Sequence, residues 1–158
     1  MNKTELEILS CNYSDPEHLT AIGNLINAYI EDDMGGGQLL SPLKKLRLVD
    51  GLNRHPTSIV LLAKANDIFC GMLIAFENFS TFTVQPMINI HDLIVLPQYR
   101  GKRIGRTLLE AIIEIGRKKG CSRVTLEVRH DNFIAQKLYK IIGFEEADPS
   151  MFYWRKML

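Results

Sequence analysis

The chain has 158 residues and a formal net charge of +1, which fits one domain able to bury its own core and gives no global electrostatic case for a nucleic acid or membrane partner. Its three cysteines, Cys11, Cys70 and Cys121, are widely spaced with no CxxC or Cys/His ligand pattern, so they are expected as reduced thiols of a cytoplasmic protein without a metal site. Neither an apolar leader nor an apolar run of membrane-spanning length occurs, and a single domain over residues 1–158 is expected.

Residues 5–13 (ELEILSCNY) alternate enough to form a first strand. Ser14 or Asp15 then caps a helix that begins with Pro16 and Glu17 and lays Leu19, Ile22, Ile26 and Tyr29 or Ile30 along one face. The stretch DDMGGG (32–37) breaks that helix, because three consecutive glycines hold a helix poorly, and a mobile loop is expected. A second helix runs from about Pro42 to Leu52. Residues 57–65 and 68–78 form a hairpin turning at Asn66–Asp67, and residues 87–96 form another, nearly all-apolar strand. Apolar residues at 104, 108, 111, 112 and 115 mark a helix ending near Gly120. A strand over 122–129 follows, then a helix starting at Asp131 or Asn132 and stopping at Gly143, and a last strand over 151–158. The order β-α-α-β-β-β-α-β-α-β implies an α/β layered domain with a mixed sheet, in which the strands flanking the 104–120 helix run parallel.

The junction LPQYRGKRIGRTLL (96–109) holds Gly101 and Gly105 with Arg100, Lys102, Arg103 and Arg106. A strand, a basic glycine-bearing turn and a helix start combine three anion-binding effects: first-turn amides without acceptors, the positive end of the helix dipole, and close backbone approach at glycine. The spacing excludes a Walker A loop, since Gly105 is followed by Arg106-Thr107, and it lacks the GxGxxG of a dinucleotide fold. A solvated basic turn that merely caps a helix is the alternative.

Two segments, INIHDLIVLPQYRGKRIGRTLLEAI and LEVRHDNFIAQKLYKIIGF, together resemble the GCN5-related N-acetyltransferase (GNAT) family across residues 87–145. RGKRIG (100–105) matches the family's acetyl-CoA signature at Arg100 and Gly105, with Arg103 where the signature has its first glycine. Asn132, Ala135, Leu138, Tyr139, Gly143 and Phe144 match its later motif. The resemblance implies the acyl-CoA N-acyltransferase fold, a mixed central sheet splayed at the acetyl-CoA site with flanking helices. It implies pyrophosphate on the amides of Gly101, Lys102, Arg103, Ile104, Gly105 and Arg106. The pantetheine arm would bond backbone groups of Leu93 and Val95 and touch Asn132.

Direct acetyl transfer needs a neutral amine, a polarised thioester carbonyl and an acid for the departing thiolate, so no nucleophile triad is sought. Tyr139 stands at the motif's tyrosine and is the candidate acid, with plain packing as the alternative. His91 and Asp92 form a polar pair inside an apolar strand and are the candidate bases. Successive strand residues face opposite sides, so only one reaches the reaction centre unless a bulge intervenes. Asp32 and Asp33 either attract a cationic acceptor or form a solvated helix end; Tyr29, Glu77 and Asn78 are further acceptor candidates. His18, His55 and His130 are expected on the surface. The expected activity is acetyl-CoA-dependent transfer to a primary amine of a small molecule or peptide, with a non-catalytic acetyl-CoA sensor, or a protein binding nucleotide phosphates, as alternatives. The C-terminal MFYWRKML is apolar enough to pair across an interface between two copies.

Overall fold

Asp15 accepts from the Glu17 amide and starts α1 (Pro16–Glu31); Ser41 accepts from Lys44 and starts α2 (Pro42–Arg54). These helices follow β1 (Leu6–Ser10) in a computed structural model that describes residues 5–158. The chain continues through β2 (Ser58–Ala65), β3 (Ile68–Ser80) and β4 (Gln85–Val95), then a single 3-10 turn at Pro97–Tyr99, α3 (Ile104–Lys118), β5 (Val124–Leu126) and α4 (Phe133–Ile142). The β2–β3 turn falls at Asn66–Asp67 as expected, with φ of +45° and +64°, the left-handed pair that matches the twist of a two-residue hairpin.

The sheet order is β1-β2-β3-β4-β5, antiparallel throughout except that β5 runs parallel to β4 across the α3 crossover. One apolar layer lies between the sheet and α3 with α4, built on Leu61, Leu73, Ile88, Leu108, Leu109 and Ile112. The other lies between the sheet and α1 with α2, built on Ile22, Leu25, Leu62, Met72, Ile74 and Ile94. Gly71 seats the start of α3. A Cβ there would stand 3.0 Å from the Ile94 carbonyl oxygen and 3.2 Å from the Ile104 side chain, so only glycine lets the first turn of α3 rest on β3.

Three sequence expectations need correction. The strand expected over 122–129 pairs only at Val124–Leu126. Residues 151–158 are in no strand, because a strand needs a partner and nothing among the described residues pairs with them. His18 is buried, not on the surface: its Nδ1 accepts from the Asn12 amide, Nε2 lies 3.7 Å from Asp15, and Phe69 packs edge-on to the ring. The segment after α1 leaves the helix where expected: Gly35 donates to the Asp32 carbonyl, Met34 to the Asp32 carboxylate, and Asn27 brackets Leu40 with two hydrogen bonds.

Gly71→Ala should cost about 1–3 kcal/mol, the range for overpacking a full core, read as a lowered denaturant midpoint. Parent-like stability would mean that α3 does not need the close approach.

Candidate active site

The site begins where β4 parts from β5. Ile88, Asn89 and Ile90 pair with Val124, Thr125 and Leu126, and there the parallel ladder ends. On its other side β4 stays paired with β3 up to Val95, but the register slips between Ile74 and Ala75, whose partners are Asp92 and Ile90. His91 is therefore the extra residue of a β-bulge. Before it, Ile88 and Ile90 face α3; after it, Leu93 and Val95 do, while Ile94 and Leu96 face α1. The bulge thus turns His91 and Asp92 to the same face, and His91 stands edge-on to Phe76 there.

The splay leaves backbone groups unpaired. The Leu96 amide donates to the Cys70 carbonyl, on the β3 side. Strand amides alternate in direction, so the polar groups of Leu93 and Val95 point into the gap beyond β5. One is taken: the Val95 carbonyl accepts from Arg100 Nε at 3.1 Å. Below the gap, no backbone amide from Gly101 to Arg106 donates to a protein acceptor among the described residues; the first to do so is Thr107, to the Arg103 carbonyl at 3.0 Å. Six successive donors at a helix start form the anion cradle read from the sequence, and a pyrophosphate with an extended amide-bearing arm has the right groups to satisfy both features.

Two positions in the loop have left-handed backbone, Gly101 at φ +75° and Arg103 at φ +64°. Arg103 thus keeps a glycine-type conformation with a side chain that fans outward. Gly105 serves another purpose than close phosphate approach, because its missing Cβ would face Leu138 at 3.4 Å and Val95 at 3.7 Å, between α4 and the end of β4. The basic side chains divide their work. Arg106 pairs with Glu110 at 2.7 Å, and Lys102 lies over the Tyr99 ring at 5.0 Å. Arg100 bonds the Asp32 carboxylate, so it joins the end of β4 to the end of α1.

Around the gap the titratable groups are coupled. Burial raises the Asp92 carboxyl above its ordinary range, against a smaller opposing effect of His91. Burial raises the Tyr29 phenol too, and the negative charges of Asp92 and Asp32 push it further. Burial and then Tyr29 push the Tyr139 phenol up to about 12. Tyr29 packs in the α1 layer and Tyr139 in the α3–α4 layer, yet the Tyr139 phenol is raised by Tyr29 across the sheet. Asp32 is held below the usual carboxylate range by its hydrogen bond from Arg100.

The structure therefore gathers Asp92, Tyr29, Tyr139, Asp32 and Arg100. His91 is on the same face but exposed. Asp33 is exposed, and Asn132 is the N-cap of α4, its side-chain oxygen accepting from Ala135. Glu77 and Asn78 lie elsewhere: Glu77 pairs with Lys119 at 2.7 Å, just past the C-terminus of α3, one helix length from the anion cradle, and Asn78 sits near the far end of β3. Two groups were missed by sequence reasoning. Asn89 Nδ2 bridges to Thr125 Oγ1 at 3.1 Å where the strands divide, a role whose only signal was a polar residue interrupting an apolar run. Arg129 reaches Tyr29 electrostatically while bonded to Asp131.

A family model described as the acetyltransferase (GNAT) family matches residues 26–144. The uncharacterized N-acetyltransferase YhfO of Bacillus subtilis is 33% identical over 131 residues, covering 80% of this chain and 83% of that protein. The thialysine N-epsilon-acetyltransferase of Mus musculus is 36% identical over 109 residues, 64% of each chain. An aminoglycoside N-acetyltransferase solved with CoA superposes with a TM-score of 0.77 at 19% identity, covering 99% of this chain and 98% of that one.

Two outcomes follow from the local energetics. A left-handed conformation costs a non-glycine residue about 1–2 kcal/mol, so Arg103→Gly should be neutral or stabilising in chemical denaturation, whereas Arg103→Val, whose β-branched side chain suits that region least, should be less stable than the parent. Asp92 has a raised folded-state pKa, so its ionisation opposes folding: the stability it confers when protonated is lost as pH rises through that pKa. Asp92→Asn should therefore melt close to the parent at acid pH and increasingly above it as pH rises. A variant that melts lower at neutral pH would mean that the carboxylate has a stabilising partner.

Proposed function

The chain belongs to the acetyltransferase (GNAT) family and is an acetyl-CoA-dependent N-acetyltransferase; from that premise we propose that acetyl-CoA lies in the gap between β4 and β5 and that the acceptor is a primary amine arriving from the α1 side. The observation that carries this reading is the continuity of unpaired backbone, from Leu93 and Val95 to the six amides of Gly101–Arg106, beside a desolvated Asp92. Acetyl-CoA supplies an activated acyl group; everything else is the work of the chain.

The amides of Gly101–Arg106 hold the pyrophosphate, with Lys102 and Arg103 adding charge from the exposed side of the loop. The freed edge at Leu93 and Val95 bonds the pantetheine arm, and one of its N–H groups polarises the thioester carbonyl, as preorganised donors do in an oxyanion site. An alkylamine arrives as an ammonium ion. Asp92 takes its proton: it is the half-buried member of the polar pair, while His91 stands exposed against Phe76. Nitrogen then attacks the acyl carbon, the acylated nitrogen sheds its second proton to water, the carbon–sulfur bond breaks, and the Tyr139 hydroxyl donates its proton to the departing thiolate and is reprotonated from water. A phenol held near 12 is fully protonated at working pH and therefore always available as a donor. Tyr29, set against both groups, lines the acceptor side. The acceptor class rests on the carboxylate of Asp92 beside the gap and on the relatives: thialysine and aminoglycosides, named for two of them, are amines.

The reading is tested by following release of the CoA thiol across a panel of primary amines. Tyr139→Phe should lower kcat by roughly 10²–10⁴-fold with little change in KM for acetyl-CoA. In the parent, kcat/KM should rise with pH through a carboxylate pKa displaced upward. Asp92→Asn should abolish that limb, and His91→Gln should keep it; the opposite assignment of the limb would transfer the base to His91.

A further inference from the structure

We propose that Arg100 is a positioning residue that carries the occupancy of the cofactor gap to the acceptor side, by tying the Val95 carbonyl to the turn that ends α1. The inference rests on the reading of the gap given above and adds a coupling between its two sides.

The link is a short chain of contacts. At one end, Arg100 Nε donates to the Val95 carbonyl at 3.1 Å, on the strand edge assigned to the pantetheine arm. At the other, a terminal guanidinium nitrogen donates to Asp32 Oδ2. One flat guanidinium makes both bonds, and its rigid fork fixes their relative direction, which an ammonium on a flexible stem does not do. Asp32 in turn holds the chain leaving α1. Its Oδ1 accepts from the Met34 amide at 3.0 Å, its carbonyl accepts from the Gly35 amide at 2.8 Å, and its own amide donates to the Tyr29 carbonyl at 3.1 Å. The turn is tight: a Cβ on Gly35 would stand 1.8 Å from that same Tyr29 carbonyl oxygen. A shift of Arg100 is therefore passed to Tyr29, which the reading above sets on the acceptor side, through a turn with no room to absorb it.

The same contacts decide what Asp32 is for. A free carboxylate at this place would attract a cationic acceptor, but here the charge is already matched. The hydrogen bond from Arg100 is the largest of the effects that hold its carboxyl below the usual range, and its side chain is 15% exposed, against 52% for Arg100. Both of its oxygens are engaged, one by Arg100 and one by the Met34 amide. An ion pair open to solvent adds little to stability, so a pair that spans 68 positions matters for what it connects. Coupling between two sites travels through such a contiguous set of contacts, and it is reciprocal: what fixes the cofactor edge also fixes the acceptor wall.

The test is an amide chemical-shift titration of the labelled full chain with CoA, followed by steady-state kinetics. In the parent, CoA should move the amides of Met34 and Gly35 together with those of the gap at Leu93, Val95 and Gly101–Arg106. Arg100→Ala and Asp32→Asn, made separately, should each keep the gap shifts and lose those at Met34 and Gly35. Kinetics then separate coupling from plain attraction. With the primary amine that the panel shows to be turned over fastest, each variant should raise KM for the amine at least about fivefold, the lower end of typical couplings, and by more than it lowers kcat. The double variant should do no worse than the larger single. If Asp32 instead attracts the acceptor, Arg100→Ala frees its charge and lowers that KM. Three results would each overturn the proposal and leave the cofactor site standing: Met34 and Gly35 amides unmoved in a parent whose gap amides shift, remote shifts that survive either substitution, or a KM lowered by Arg100→Ala. CoA binding that leaves the gap amides themselves unmoved would overturn the reading of the gap and this inference with it. The parent titration needs neither a variant nor an acceptor, so it decides even if a variant fails to fold.

Discussion

The parting of β4 from β5 after Ile90 is the constraint on which the rest of the site depends. Three pairs hold the two strands together, Ile88–Val124 to Ile90–Leu126. Beyond them β5 ends and β4 continues, still bonded to β3 through the bulge at His91. Backbone groups left unpaired inside a protein demand a partner. Arg100 satisfies one of them, the Val95 carbonyl, and the remainder form an edge that an extended, amide-bearing ligand can occupy. Tyr29, in one layer, adds to the upward shift of the Tyr139 phenol in the other.

The bulge also decides which polar residue is desolvated. In a regular strand His91 and Asp92 would face opposite sides. Here both face α1, and the difference between them is depth. His91 stays in water against Phe76, while Asp92 sits among groups that raise its pKa. A carboxyl in that state destabilises the fold when ionised, and it stands with two phenols that burial displaces upward. Arg100 plays the complementary part at the rim. It neutralises Asp32 at the C-terminal end of α1, where the helix dipole already disfavours a carboxylate, and thereby joins the end of β4 to the end of α1.

Local features were legible in the sequence. The basic loop before α3, the Asn66–Asp67 hairpin, the cap at Asp15 and the stop at Gly143 are each set by a few neighbouring residues, and each lies where the pattern placed it. Features fixed by distant partners were not legible. The bulge at His91 exists only in the register between β4 and β3. The pair Arg100–Asp32 spans 68 positions. His18 looked solvent-facing because its buried partners, the Asn12 amide and the Phe69 ring, meet it only in the folded chain. Glu77 looked like an acceptor-side carboxylate until the length of β3 carried it to Lys119. The last strand was legible as a propensity, but among the described residues nothing pairs with 151–158.

The most direct measurement is an amide chemical-shift titration of the isotopically labelled protein with CoA. The account predicts saturable shifts concentrated at Leu93, Val95 and the six amides from Gly101 to Arg106, with the central strands β2 and β3 little changed outside their contact with β4. Saturable CoA binding that leaves those eight amides unmoved would contradict it, because the ligand would then lie somewhere other than the gap that the bulge and the splay create.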